Sequence, residues 1–222
     1  MFKHSHPYPP FIPKGTKKLI VGTLPPPRFT TGDLKQGDVD CWYGSRDNQL
    51  WPILDRIFNL NLIYENSEKA IKQRKKFLIQ HKIGICDMVD VAYRDEINAA
   101  DLGIKEFELR PIISILKTHN SVNTLLFTGG NSKNGPEYFF RKKLQNFPAI
   151  KLNEIDENVP RIHEFEMGNR KIKTVSLTAP SGSANRAVGS MQLYKKMKAK
   201  NSELTTLDFR VIQYTPFFTT FE

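Results

Sequence analysis

The chain has 222 residues, 33 Lys and Arg against 23 Asp and Glu for a formal net charge of +10, and only two cysteines, Cys41 and Cys86. Its length favours one domain at about 150 residues per domain, large enough to bury ~70% of its unfolded surface without a disulfide or metal staple. Two thiols are too few for a Cys₄ zinc or iron–sulfur site, no apolar run reaches the ~20 residues of a membrane span, and the N-terminus lacks a signal peptide's apolar core, so a soluble, basic, cytoplasmic protein is expected.

Residues 1–16 are rich in proline and turn signals and read as an extended N-terminal arm packed on the domain. Residues 17–23 form a short β-rich run ending at glycine, a buried strand. Pro25, Pro26 and Pro27 remove three backbone donors, so residues 24–29 are expected to be neither strand nor helix. The loop through Gly32, Gly37 and Asp40 should be irregular. Asp47 or Asn48 is a good N-cap for a helix with apolar positions Leu50, Trp51, Leu54, Ile57 and Phe58.

A second helix covers about 67–80, and residues 83–89 read as a second buried strand. Residues 104–117 have amphipathic helical spacing, with Pro111 able to delay the start. Residues 123–130 are a third strand ending in two glycines, and 136–146 are helical. Residues 171–178 are a fourth strand, followed by a loop and a helix over about 187–200. Residues 207–214, in a C-terminal extension over 201–222, could be an extra strand.

Short apolar strands alternating with amphipathic helices predict an α/β fold. The expected form is one domain, a three-layer αβα sandwich around a mainly parallel four-stranded sheet. Ligands bind such sheets outside the carboxyl ends of the strands. Here those ends are Gly22–Pro25, Cys86–Asp87, Thr128–Gly129 and Ala179–Gly182. Two acid-free basic runs, 69–82 and 186–200, flank a mostly acidic stretch at 153–166 and point weakly to a polyanionic partner. There is no Walker A, G-x-G-x-x-G or H-E-x-x-H motif and no paired-cysteine spacing, so neither metal nor cofactor is expected. The five histidines lie away from every strand end in sequence, which leaves a nucleophile at Ser181 with no evident base.

Gly22-Thr23-Leu24-Pro25 followed by Tyr43-Gly44-Ser45-Arg46-Asp47-Asn48-Gln49-Leu50-Trp51-Pro52 resembles the first motif block of the uracil-DNA glycosylase superfamily. The nearest likeness is to its mismatch-specific uracil and hypoxanthine branches. Leu177 to Arg186 resembles the second motif. Gly84 to Val89, with Arg94 and Ala99-Ala100-Asp101-Leu102, resembles the middle block. Together these span roughly residues 17–200 in the family's order.

The resemblance implies a monofunctional, metal-independent DNA N-glycosylase that acts as a monomer on DNA and removes a flipped, deaminated base, uracil or hypoxanthine. It implies that Tyr43 stacks the base, with Trp42 the alternative stacker or Tyr43 a packing aromatic. Gly22, Thr23 and Leu24 would line the base pocket. Asn48 matches the water-orienting residue, a role compatible with capping a helix. Asp87 would accept from the base edge or serve as a structural carboxylate bonded to backbone amides. Ser181 belongs to the catalytic second motif, while Ser183, Asn185 and Arg186 would contact the DNA backbone. The competing reading of that loop is an ordinary strand-to-helix turn.

Two positions depart from the family. Leu24 stands where many members carry Asp, Asn or Glu, with Asp33, Asp38, Asp40 and Asp47 as carboxylates that could substitute. Ala179 stands where His or Asn is common. They motivate alternatives: a catalytically weak or inactive DNA-binding protein of the same fold, and a hydrolase of free nucleosides.

Overall fold

The computed structural model describes residues 1–97 and 103–220. The arm supplies β1 (Phe2–Ser5), and β2 (Lys18–Val21) enters the core. A short α1 (Arg28–Thr31) and a long loop lead to α2 (Leu50–Phe58) and α3 (Glu68–Gln80). There follow β3 (Ile83–Ile85), β4 (Val89–Arg94), β5 (Ile104–Leu109), α4 (Ile112–Thr118), β6 (Thr124–Phe127) and α5 (Pro136–Leu144). The chain then forms β7 (Asn153–Asp156), β8 (Arg161–Met167) and β9 (Arg170–Ser176). It ends in α6 (Asn185–Ser190), α7 (Gln192–Lys200) and α8 (Thr206–Thr219).

The main sheet has the order β3-β2-β6-β9-β8-β7. The first four are the predicted parallel strands. The acidic stretch, left without a predicted element, folds as the antiparallel hairpin β7–β8 and widens the sheet to six strands. Leu19 and Val21 face one core with α4 and α5, and Ile20 faces the other with α2, α3 and α8. Burial on both faces explains why β2 reads as a continuous apolar run. The three layers are therefore those expected.

Among the parallel strands the order in sequence is second, first, third, fourth. The topological switch point lies between β2 and β6, where connections leave to opposite sides and a crevice opens.

Four local expectations are corrected. A helical turn, α1, begins directly after Pro27, because proline's fixed φ suits the start of a helix. The strand predicted over 83–89 divides into β3 and β4, and β4 leaves to pair with β1 and β5 in a second, three-stranded antiparallel sheet. Residues 104–109 are β5 rather than helix, and only the segment after Pro111 becomes α4. Residues 207–214 lie within α8, which starts from a reciprocal capping box between Thr205 and Asp208. Of the middle-block resemblance, Ala99 to Leu102 lies outside the described residues.

Candidate active site

The loop from Gly32 to Asn48 has little regular structure of its own, and a buried ion pair organises it. Asp38 accepts Arg28 Nε at 2.7 Å and Nη2 at 2.9 Å, and also takes the backbone N–H groups of Lys35 and Arg46 at 2.8 Å each. Burial alone would raise the Asp38 carboxyl, but these bonds and the Arg28 charge outweigh it and hold the pKa at about 2. Arg28 also donates to Ser45 Oγ at 2.8 Å. At the next turn Gly44 has no room for a side chain, since a Cβ there would stand 1.9 Å from the Val39 carbonyl oxygen. Tyr43, with φ of 55°, is thereby turned in toward the sheet.

Tyr43 reaches the switch point. Its hydroxyl donates to Asp87 Oδ1 at 2.9 Å and lies 3.2 Å from Thr128 Oγ1, so one side chain spans the carboxyl ends of β3 and β6. Asp87 Oδ1 also accepts the Gly22 N–H at 2.8 Å, and Oδ2 lies 2.9 Å from His6 Nε2. His6 Nδ1 accepts the Tyr8 N–H at 3.1 Å, so Nε2 is the nitrogen that carries hydrogen toward Asp87. Burial would push the Asp87 carboxyl up. The His6 and Tyr43 hydrogen bonds and the nearby Arg110 charge overcome it and hold Asp87 below the ordinary carboxylate range. Burial, with the Asp87 charge added, keeps Tyr43 a neutral phenol with its pKa well raised.

His6 is a residue that sequence reasoning missed. Although distant from every strand end in sequence, it is carried to Asp87 by the arm, which β1 docks antiparallel on β4. No local signal marks a contact across 81 positions.

His6, Tyr8, Leu24, Tyr43, Asn48 and Asp87 are among the residues that line a small cavity of about 60 Å³. It shares Leu24, Tyr43 and Asn48 with a groove of about 880 Å³ that runs along Ala179, Pro180, Ser181 and Ser183. Asn48 stands between the two. Its Oδ1 accepts the Leu50 N–H at 2.8 Å, so it does cap the start of α2. The amide nitrogen has no protein partner among the described residues, and Oδ1 keeps a second lone pair. Asn48 and Ser181 meet as an isolated antiparallel bridge, so the two motif loops are joined through their backbones.

The expected residues are thus largely brought together. Gly22, Thr23, Leu24, Tyr43, Asn48, Asp87 and Ser181 all gather at the carboxyl ends of the parallel strands. Asp87 combines a backbone amide partner with a place on the cavity wall, so features of both readings coexist. Trp42 also lines the small cavity, though it is largely buried, with its Nε1 on the Pro9 carbonyl and its own carbonyl accepting from Trp51 Nε1. Ser181 Oγ lies 3.0 Å from Ser183 Oγ. Ser183 and Arg186 are exposed.

Asn185 departs from its expected place at a DNA backbone. Its Oδ1 accepts from Arg210 Nη1 at 2.8 Å and from Thr206 Oγ1 at 3.0 Å, which ties it to α8. Of the carboxylates that could substitute, Asp38 is held by Arg28, Asp33 accepts from Thr31 Oγ1 and Asp40 from Tyr8 Oη, and none of the three lines the cavity or the groove. Asp47 is exposed on the groove rim, 3.2 Å from Arg28 Nη2. No group of three His, Cys, Asp or Glu among the described residues could hold a metal ion, and no helix of the described residues is long and apolar enough to cross a membrane.

No protein-family model matches the chain, and a search of curated proteins finds no match. Among solved structures the chain is similar to the solution NMR structure of a candidate uracil DNA glycosylase from Methanosarcina acetivorans. The likeness covers 94% of this chain and 99% of that one, with a TM-score of 0.53 and 16% sequence identity. At that identity the likeness is one of fold, and it establishes the α/β architecture around this strand-end site as one shared with that protein.

Proposed function

We propose that the chain is a DNA glycosylase of the uracil-DNA glycosylase superfamily, hydrolysing the N-glycosidic bond of a uracil or hypoxanthine flipped out of DNA. The carrying observation is the meeting of Tyr43, Asp87 and Asn48 at the switch-point cavity, beside a groove walled by the Ser181 loop. The shared fold supports it.

An ionised Asp87 only accepts hydrogen bonds. Three donors already point at it, and the remaining lone-pair capacity of Oδ2 faces a base whose edge carries a ring N–H. Uracil and hypoxanthine both present such an N–H, whereas cytosine and adenine present a ring lone pair that the carboxylate repels. The Tyr43 ring, held by its hydroxyl, forms the face on which the base stacks. A cavity of about 60 Å³ has room for water but not for a base, so the base occupies its mouth and the adjoining groove.

Asn48 holds the attacking water. The water oxygen bonds to C1′ as the C1′–N bond breaks; the bonding pair leaves on the base nitrogen, and the water's proton passes to solvent or the departing base. Neither ring nitrogen of His6 is available to take that proton, so His6 orients Asp87. Ser181, Ser183 and Arg186 face the DNA backbone.

Incubating duplexes that carry uracil, hypoxanthine, xanthine or a thymine mismatch, then probing for alkali-labile abasic sites, tests this. Release of uracil or hypoxanthine is expected. No product from any duplex overturns the enzymatic reading. Leu24 and Ala179, which bring no polar side-chain atom to the groove they line, favour one second reading: a DNA-binding protein of this fold without the chemistry. It predicts salt-dependent duplex binding with no base release.

A further inference from the structure

We propose that Arg210 is a positioning residue of this site, setting the spacing between the Ser181 loop and the amino end of α2 that carries Asn48. The inference rests on the glycosylase reading and concerns α8, which lies outside the motif blocks.

Arg210 is fully buried on α8, and among the described residues it has no carboxylate partner. Its donors go to neutral oxygens on separate parts of the site. Nε donates to the Ala179 carbonyl at 2.9 Å and Nη2 to the Ser181 carbonyl at 3.2 Å. Nη1 donates to Gln49 Oε1 at 2.9 Å and to Asn185 Oδ1 at 2.8 Å. The same loop is held from two further directions. Gln49 N donates to the Pro180 carbonyl at 2.7 Å, and Gln213 Oε1 accepts both the N–H and the hydroxyl of Thr178 at 2.9 Å. Tyr214 donates its hydroxyl to the Thr178 carbonyl at 2.7 Å.

Burying a guanidinium without a counter-ion is costly, and burial lowers the pKa of Arg210 accordingly. A planar fork offsets that cost here because its donors diverge onto several oxygens at once. The oxygens belong to the groove wall at Ala179 and Ser181 and to Gln49, the neighbour of Asn48. A displacement of Arg210 therefore moves the groove wall relative to the residue that holds water. Lysine keeps the charge but has one compact ammonium that cannot reach all four oxygens.

The test uses the full chain and the duplex that the wild type cleaves best. Single-turnover base release, duplex affinity and thermal unfolding are compared for wild type, Arg210→Lys, Gln49→Met and the double variant. Arg210→Lys is expected to unfold cooperatively and bind duplex much as wild type does, while releasing base about tenfold more slowly or worse. Gln49→Met should lower the same rate by less, and the double variant should be no slower than Arg210→Lys alone, since both break one network. A folded Arg210→Lys that releases base at the wild-type rate, or that loses only affinity, overturns the proposal. Should Arg210→Lys fail to fold, Gln49→Met decides, and a wild-type rate there overturns it. A wild type that cleaves no duplex is a different failure, because it removes the glycosylase reading on which the proposal rests.

Discussion

Asp87 has two oxygens, three donors aimed at them and a depressed pKa, and its substitution has a definite sign. Asp87→Asn turns an amide N–H₂ toward groups that are themselves donors, which leaves buried N–H groups unsatisfied and should cost about 1–3 kcal/mol of stability by thermal unfolding. Base release should be lost with it. Because the folded pKa lies below the unfolded value, the stability from ionised Asp87 is fully present above pH ~4 and is lost as pH falls through the lower folded value. A pH–rate profile should show no acid limb from this group above pH ~4. A limb near pH 6 that persists in His6→Gln would contradict the assignment. Asn48→Ala separates two roles at one residue. Loss of the bond to Leu50 N should cost about 1 kcal/mol of stability, while loss of water placement should lower single-turnover release about 100-fold or more. Gly22 is constrained by the site itself: a Cβ would stand 2.3 Å from the Tyr43 hydroxyl and 2.7 Å from Asp87 Oδ1. Asp87 could be singled out in the sequence because it follows a strand end, and Asn48 because it suits a helix start, whereas Tyr43 stood out only through the family resemblance. His6 was not legible, because its role depends on a strand pairing made by an arm with no motif of its own.

At the scale of elements, the site is closed by the two ends of the chain. The arm contributes β1, His6 and Tyr8, and α8 contributes Arg210, Gln213 and Tyr214. Both ends were the hardest parts to read. Alternating apolar residues in 207–214 mimic a strand, yet the Thr205-x-x-Asp208 capping box immediately before them is a helix-start signal that outweighs the alternation. The buried parallel strands were easier, since a run such as Leu19-Ile20-Val21 fits a sheet covered on both faces. If the arm is a working part of the site, deleting residues 1–8 should lower base release about 100-fold or more, because Asp87 and the cavity wall lose their His6 and Tyr8 contacts. Retained near-wild-type release in the truncated protein would show that the arm only covers the sheet. The long loop gives a separate element-scale test. Asp38→Asn removes the carboxylate on which Arg28 and two backbone N–H groups converge and should cost about 3 kcal/mol or more, read as a lowered unfolding midpoint.

Over the whole molecule, the charge of +10 becomes informative only once the fold distributes it. The basic run at 186–200 forms α6 and α7, which emerge directly from the Ser181 loop, and α7 buries none of its residues. Only a narrow, half-buried side of it packs on the protein, with Tyr194 edge-on to Phe209, so it gains little from packing within its own chain. Lys195, Lys196 and Lys200 are exposed on it, and Arg186 is exposed on α6, whereas Lys198 is tied to the Leu204 carbonyl at 2.8 Å. The groove wall at Ala179 to Ser183 leads into this basic surface, so a duplex whose flipped base sits at the cavity mouth would lay its phosphates along it. Each phosphate contact releases condensed counterions, and duplex affinity should fall with salt at a log–log slope of about −0.9 per contact. Replacing Arg186, Lys195 and Lys196 together by Gln should weaken binding across duplex sequences and make the slope shallower by about 1 for each residue in contact. Replacing Lys198 instead should lower the unfolding midpoint, since its bond holds the turn before α8. Affinity measured over a salt series for both variants decides the matter. An unchanged slope in the triple variant would move the duplex off α6 and α7 and require a different path for the strand leading to Asn48.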